Sequence, residues 1–540
     1  MTRREVLGAM AAPLAMAAEA AEIDGAIVKR HDEGVERLLA SQITDPSSRV
    51  CGNLPSPNGL YGAGGAGSVL QSMTTAFVYE RSRFHGNPLL VERMRLATAY
   101  LERAQHPDGY IDLLETNFDS PPDTGFVVHG VANAGFLAQR FGHPELLNIV
   151  EPFLHKAAAG LATGGIHTPN HRWVVSAALA QLNELFPDPR YVRRIDQWLA
   201  EGIDIDEDGQ YTERSTSVYN GVCDRAFACM AVKLKRPELL DPVRRNLESM
   251  LYLLHPEYEV VTEISRRQDR GIRGTMGGYW FPLRYLAVKD GNGHYADIVN
   301  HLEPNHASLA TMLEYPEMMG PLPAPVAPPD DYERAMSSLG VVRFRRGRTS
   351  ATLLNNDAAF FSLRRGAAVI EAVRFASAFF GKGQFRPTVM DHAGKTYTLK
   401  QQLSAGYYQP LVPARRVTAE NWGAARGSRE ETQRCVLEQS VSLTETAPGF
   451  RLRVQASGTV GVPLAVEINL RDGGTLEGCE ELLASGQATY TLGRDRIRFG
   501  PGLAEHRYTQ VRGALAKLPG KSVYLTAFTP CDHTIEFELS

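Results

Sequence analysis

Apolar positions between about Ile23 and Met319 recur at alternating steps of three and four, as in Leu90, Met94, Ala97, Leu101 and Ala104, or Val175, Leu179, Leu182 and Phe186. That period keeps one stripe of side chains on one face of an α-helix, and about twelve such segments are predicted in this half. Short Gly, Pro and Asp turns separate them, which suits successive helical hairpins. In the last two fifths of the chain the period becomes two. Leu464, Val466, Ile468 and Leu470 alternate with Ala465, Glu467, Asn469 and Arg471, and residues 341–346, 451–455, 490–499 and 534–539 repeat the pattern, so antiparallel strands are predicted there.

The change of period gives a multi-domain α+β reading. Residues 23–319 are expected to form an incomplete α/α toroid, a ring of about six helical hairpins with its connecting loops gathered at one mouth. An α-solenoid competes, but no strict solenoid consensus repeats here. Two turns do resemble each other: Gln105-His-Pro-Asp108-Gly109-Tyr110 and Ile205-Asp-Glu-Asp208-Gly209-Gln-Tyr211. Residues 320–331 hold too many prolines for helix or central strand and read as a semi-rigid linker. Residues 332–540 are then an antiparallel β-sandwich of about 200 residues.

Composition narrows the choice of partners. The 540 residues are 43% hydrophobic and 22% charged with a net charge of −4, which excludes pervasive disorder and gives no global attraction to nucleic acid. An anionic ligand therefore needs a local basic cleft. Residues 1–17, with Arg3, Arg4, a short Ala-rich apolar run and Ala15-Met-Ala17, read as a twin-arginine export signal, with a plain N-terminal helix as the alternative. Export places the mature protein in the periplasm or outside the cell. No other stretch offers the roughly 18 apolar residues of a membrane span. The six cysteines are scattered without a Cys-x-x-Cys pair, so neither a disulfide scaffold nor a thiolate zinc site is indicated, and Cys223 and Cys229 share one predicted helix.

Two segments bring reactive side chains into company. His167-Thr-Pro-Asn170-His171 opens an apolar helix, and some fifty residues later a run from Asp208-Gly209 ends at Tyr219. An amide, an imidazole and a phenol suit removal of a proton beside a carboxylate and expulsion of an oxygen. The amide offsets the carboxylate charge, a base takes the proton and an acid protonates the leaving group. Each has a plainer alternative: Asn170 as a helix N-cap, His171 as a structural residue whose pKa the helix dipole would lower, Tyr219 as a half-buried aromatic.

Other candidates are contacts for an acidic ligand. Arg266, Arg267, Arg270 and Arg273 put four guanidinium groups within eight positions, suited to carboxylate or sulfate, with Glu263 and Asp269 offsetting part of the charge. A solvated charge run is the bland reading. Asn117 and His129 flank the loop after the first Asp-Gly turn and would line the same mouth, unless His129 is a satisfied core histidine. His392 lies in a predicted turn, where a solvated loop histidine is the alternative. No histidine pair or calcium loop marks a metal site.

The Asn170-His171 pair at a helix start, the later Asp-Gly-x-Tyr loop ending in Tyr219, and a helical half joined to a β half together resemble the heparinase II/III-like polysaccharide lyases and their alginate-lyase relatives. The resemblance implies metal-independent β-elimination on an anionic, uronate-containing glycan, with Asn170 neutralising the carboxylate and His171 and Tyr219 as base and acid. It also implies a β-domain residue that closes over the cleft, for which Tyr408 in Gly406-Tyr407-Tyr408 is the local candidate, and a structural zinc or calcium ion in the β domain of some members. A glycoside hydrolase using paired carboxylates drawn from Asp108, Asp112, Asp119, Asp123, Asp206 and Glu213, and a non-catalytic glycan-binding protein, remain open.

Overall fold

The computed structural model describes residues 23–305 and 307–540; the segment read as an export signal lies outside them. No helix among the described residues is long and apolar enough to cross a membrane. The chain divides into two compact units, one of residues up to Leu251 with Ser265–Pro328, the other of Tyr252–Ile264 with Pro329–Ser540.

In the first unit, twelve α-helices are described from Gly25–Ser41 to Ser308–Glu314. Alternate helices pack side by side: Gly64–Val78 against Pro121–Arg140, that against His171–Leu185, and that in turn against Tyr219–Lys233. Ser308–Glu314 returns to contact the first two, so these helices form an inner ring. The sequence explains the sorting. Tyr219–Lys233 has no single apolar stripe and buries every residue from Asn220 through Ala231 except Arg225, as a helix flanked on most sides must. Pro189–Ala200 has a strongly one-sided pattern, buries only Tyr191 and Ile195, and lies on the outside. The unit is an incomplete α/α toroid, and the inner helices start at one mouth.

The two similar turns take equivalent conformations. In the first, the Tyr110 carbonyl accepts from the His106 N–H at 2.8 Å; in the second, Gln210 and Asp206 make the same bond at 2.9 Å. Gly109 and Gly209 both adopt positive φ, 97° and 80°, and each presses against the carbonyl of a neighbouring outer helix, Lys156 and Arg245. A side chain has no room at either position.

The second unit is a β-sandwich of two antiparallel sheets. The seven-stranded sheet runs, in spatial order, Lys521–Phe528, Pro463–Leu470, Ala368–Ser377, Phe361–Arg365, Thr349–Leu354, Val341–Arg346 and Asp331–Met336. The eight-stranded sheet runs Thr475–Glu477, Ala488–Leu492, Asp495–Gly500, Cys531–Leu539, Gly449–Gly458, Glu431–Thr446, Thr396–Tyr408 and Val389–Ala393. Phe344, Phe361, Phe375, Leu452, Ile497 and Phe537 from both sheets meet in one apolar core.

Several details depart from the sequence reading. Residues 490–499 form a hairpin of two strands turning at Gly493, where φ is 61°, rather than one run. Pro463–Leu470 is buried on both faces: Glu467 pairs with Arg374 and Asn469 bonds Ser522, because residues 511–519 pack over the face that carries them, with the Ala516 and Pro519 carbonyls accepting from Arg374 and Asn469. Tyr252–Ile264, expected inside the toroid, packs with the strands. His255 donates from Nε2 to Glu263 at 3.1 Å and meets the Ser350 hydroxyl through Nδ1 at 2.9 Å, while Arg364 and Arg471 pair with Glu259 at 2.6 and 2.9 Å. Burial, with Arg364 nearby, lowers the His255 pKa to about 3, so this histidine is neutral.

Replacement Gly109→Ala forces a Cβ into a left-handed turn against a fixed backbone, and is expected to destabilise the protein by about 1–3 kcal/mol in chemical denaturation. An unchanged unfolding midpoint would show that the turn relaxes freely.

Candidate active site

The site is organised around the buried carboxylate of Glu213. Its Oε1 accepts from the Asn170 backbone N–H at 3.0 Å and from the Asn170 side-chain amide at 2.5 Å, and its Oε2 lies 3.0 Å from an Arg267 guanidinium nitrogen. The same guanidinium sits 4.9 Å above the ring of Tyr219. Gln268, the next residue, donates to the Tyr219 hydroxyl oxygen at 2.7 Å. Three segments distant in sequence, at residues 170, 213–219 and 267–268, are thereby tied together.

Local structure explains why each side chain points where it does. Asn170 holds the N-cap position of His171–Leu185, but its φ and ψ are already helical and its side chain makes no capping bond. The capping reading is corrected: the amide is drawn to Glu213, leaving one amide N–H uncommitted and Oδ1 buried without a partner. Tyr219 is the first residue of its inner helix, and its backbone N–H is received by the Ser215 hydroxyl at 3.0 Å. Asp269 pins the turn before it, accepting from the Ser217 N–H at 3.1 Å and hydroxyl at 3.0 Å, and Tyr279 donates to the Thr216 carbonyl at 2.5 Å.

His171 also opens an inner helix and is buried. Its pKa is lowered from 6.5 to about 4, chiefly by burial, with the neighbouring His167 and Arg267 adding to the effect and Asp123 opposing it. The direction agrees with the sequence reading, whereas the main cause is desolvation and not the helix dipole. His167 packs edge-on against its ring, centroids 4.8 Å apart. Asp123 is itself held by Asn117 Nδ2 at 2.9 Å and Ser120 Oγ at 2.5 Å.

The remaining predicted residues are dispersed. The arginine cluster is split: Arg267 joins the site, Arg266 and Arg270 are exposed, Asp269 serves the Ser217 turn, and Glu263 belongs to the strand unit. His129 is a satisfied histidine, its Nδ1 2.7 Å from Gln181 Oε1, and it faces a cavity in the ring lumen. Burial lowers its pKa. In the strand unit, Tyr408 ends Thr396–Tyr408, is exposed and carries the Arg426 guanidinium 5.0 Å over its ring. His392 is on the edge strand Val389–Ala393, not in a turn, and stacks on Tyr397 with centroids 4.0 Å apart.

Glu213 and Gln268 are the residues the sequence reading did not place. Glu213 was visible only as one of several acids near the mouth, and Gln268 stood among the arginines that drew attention. A metal ion in the β domain finds no support in the donor set: among the described residues the one group with suitable spacing is His106, Asp112 and Asp119, in the helical unit. There the imidazole bridges the two carboxylates at 3.0 and 3.3 Å.

A ring of inner and outer helices followed by a two-sheet sandwich is an architecture shared with known carbohydrate-active proteins. No protein-family model matches the sequence, and no curated protein matches it significantly. Solved structures do. Heparinase III aligns at a TM-score of 0.57 and 12% identity over 96% of this chain and 85% of that one. The Streptomyces coelicolor A3 chondroitin AC lyase, solved with chondroitin sulphate, aligns at 0.57 and 13% over 96% and 80%. A Paenibacillus xanthan lyase aligns at 0.56 and 10% over 95% of this chain and 56% of its own. At these identities the likeness is one of fold.

The lowered His171 pKa has a consequence for stability. The unfolded chain binds the proton near 6.5 and the folded one near 4, so stability is lost as pH falls from about 6.5 to about 4. Urea unfolding across this range should show the wild type losing stability relative to His171→Gln. A constant difference between the two would remove the buried neutral imidazole from the account.

Proposed function

We propose that the protein is a polysaccharide lyase that cleaves a uronate-containing anionic glycan by β-elimination. The observation that carries this is the joining of Asn170, Arg267 and Tyr219 through one buried carboxylate, beside His171, at the mouth of a ring whose fold is that of several polysaccharide lyases.

The chemistry follows from what each group still has to offer. The proton at C5 of a uronate is weakly acidic while the neighbouring carboxylate keeps its charge. The uncommitted Asn170 amide N–H and the Arg267 cation are suited to stabilise the enolate-like state. His171 is neutral in the free protein and so has a lone pair to take a proton. As a free group with a pKa of about 4 it is a weak base, but a bound carboxylate brings opposite charge that raises it toward a working range. Gln268 donates to the Tyr219 oxygen, so the phenol O–H is not spent on that contact and can be directed at the departing O4. Glu213 is a positioning residue. No step is assigned to a metal ion. Export through the N-terminal segment would bring the enzyme to its polymer.

The same contacts disfavour hydrolysis by paired carboxylates. Glu213 and Asp123, two of the candidate acids, are already engaged by Asn170 and Arg267 and by Asn117 and Ser120. A glycosidase acid and base must be free to exchange protons with sugar and water.

A panel of uronate polymers followed by ultraviolet absorbance should identify at least one that yields unsaturated product. On it, Tyr219→Phe and Asn170→Ala are expected to lower turnover by roughly 10²–10⁴-fold while glycan binding persists. New reducing ends without ultraviolet absorbance would sink the lyase reading, and full activity in Tyr219→Phe would remove the tyrosine from the chemistry.

A further inference from the structure

A cavity of about 410 Å³ lies in the lumen of the helical ring, within the roughly 300–1,000 Å³ typical of small-ligand sites. Its walls continue the helix faces that begin at the reactive groups. Val222, Ala226 and Cys229 line it from the stripe headed by Tyr219, and Val174 and Gln181 from the stripe headed by His171. The cavity therefore starts one helical turn below the site. Phe126, Phe281 and Tyr315 give it apolar and aromatic surface.

Several polar groups at the cavity are committed to one another. Glu314 accepts from Gln181 at 3.0 Å, from Asn133 at 2.7 Å, and pairs with Lys233 at 3.1 Å. Burial would raise its pKa, but Lys233 and the two amides outweigh that and keep it ionised. Gln181 donates through its amide nitrogen to Glu314 and accepts at Oε1, so His129 donates to it from Nδ1. Arg225 differs. It lines the cavity and has solvent contact there, yet makes no hydrogen bond or ion pair with any described residue. A solvated guanidinium with five donors and no partner among the described residues, facing a partly enclosed cavity, is free to meet an anion there.

We propose that the ring lumen is a binding site for a single carboxylated sugar unit, with Arg225 gripping the carboxylate and the aromatic walls facing the ring. The sugar identity rests on the elimination reading; the anion site stands on Arg225 and the cavity. Because the lumen is partly enclosed and lies one helical turn along the helices headed by His171 and Tyr219, the occupant it suits is the terminal unit of a glycan chain.

The test is isothermal titration of the full chain with sodium glucuronate and sodium galacturonate, beside glucose and sodium benzoate. Either uronate should bind, glucose should bind far more weakly, and Arg225→Gln should weaken uronate binding by on the order of 10- to 100-fold. Arg225→Lys, which keeps the charge, should recover part of the loss. Binding by neither uronate, equal binding of glucose, preference for benzoate, or undiminished binding by a folded Arg225→Gln protein would each overturn the proposal. Should Arg225→Gln fail to fold, the comparison of uronates with glucose on the wild type still decides it. The titration contains no polymer and no bond to break, so its failure is distinct from a failure of the lyase reading, which shows as absent unsaturated product.

Discussion

A single buried carboxylate sets the geometry on which the rest of the site depends. Taking Glu213 out of water carries a penalty of several kcal/mol unless partners replace the lost hydration, and the partners it has are the Asn170 backbone and side chain and the Arg267 guanidinium. That requirement fixes the start of one inner helix against the loop that opens the next. Arg267, held by Glu213, in turn covers the Tyr219 ring, and Gln268 fixes the hydroxyl. The groups that would meet substrate are thus positioned by a residue that need not touch it.

The toroid supplies the setting for that clamp. Inner helices bury most of their faces against one another, while one-sided outer helices cover them. Their common direction brings His171 and Tyr219, each the first residue of an inner helix, to one mouth. The Asp-Gly turns with positive-φ glycines carry the chain tightly from outer helix to inner helix, which keeps the mouth narrow enough for neighbouring loops to interact. Below it the ring does not fill completely, and the lumen retains the unpaired cation of Arg225.

Much of this was legible in the chain. Periodicity separated helices from strands because core-facing positions repeat differently in the two, and the proline run near residue 325 marked where one pattern ends. Asn170, His171 and Tyr219 stood out as residue types at helix starts. What periodicity cannot carry is the partner across space. Asn170 looked like a cap because sequence shows the helix start but not Glu213 beside it. Tyr252–Ile264 looks like part of the helical half because nothing local reveals that His255, Glu259 and Glu263 find the partners Ser350, Arg364 and Ser362 on strands more than eighty residues away. The 490–499 run hid its turn because Gly493 and Arg494 interrupt the alternation so briefly. The arginine cluster was read as a unit, whereas the fold uses its members separately.

The claim that this site eliminates rather than hydrolyses is tested most directly by cleaving the identified polymer in heavy-oxygen water and weighing the products. The account predicts that no heavy oxygen enters either fragment and that one fragment carries an unsaturated uronate, one water lighter than a hydrolytic end. One heavy oxygen incorporated per bond cleaved, with saturated ends throughout, would contradict it.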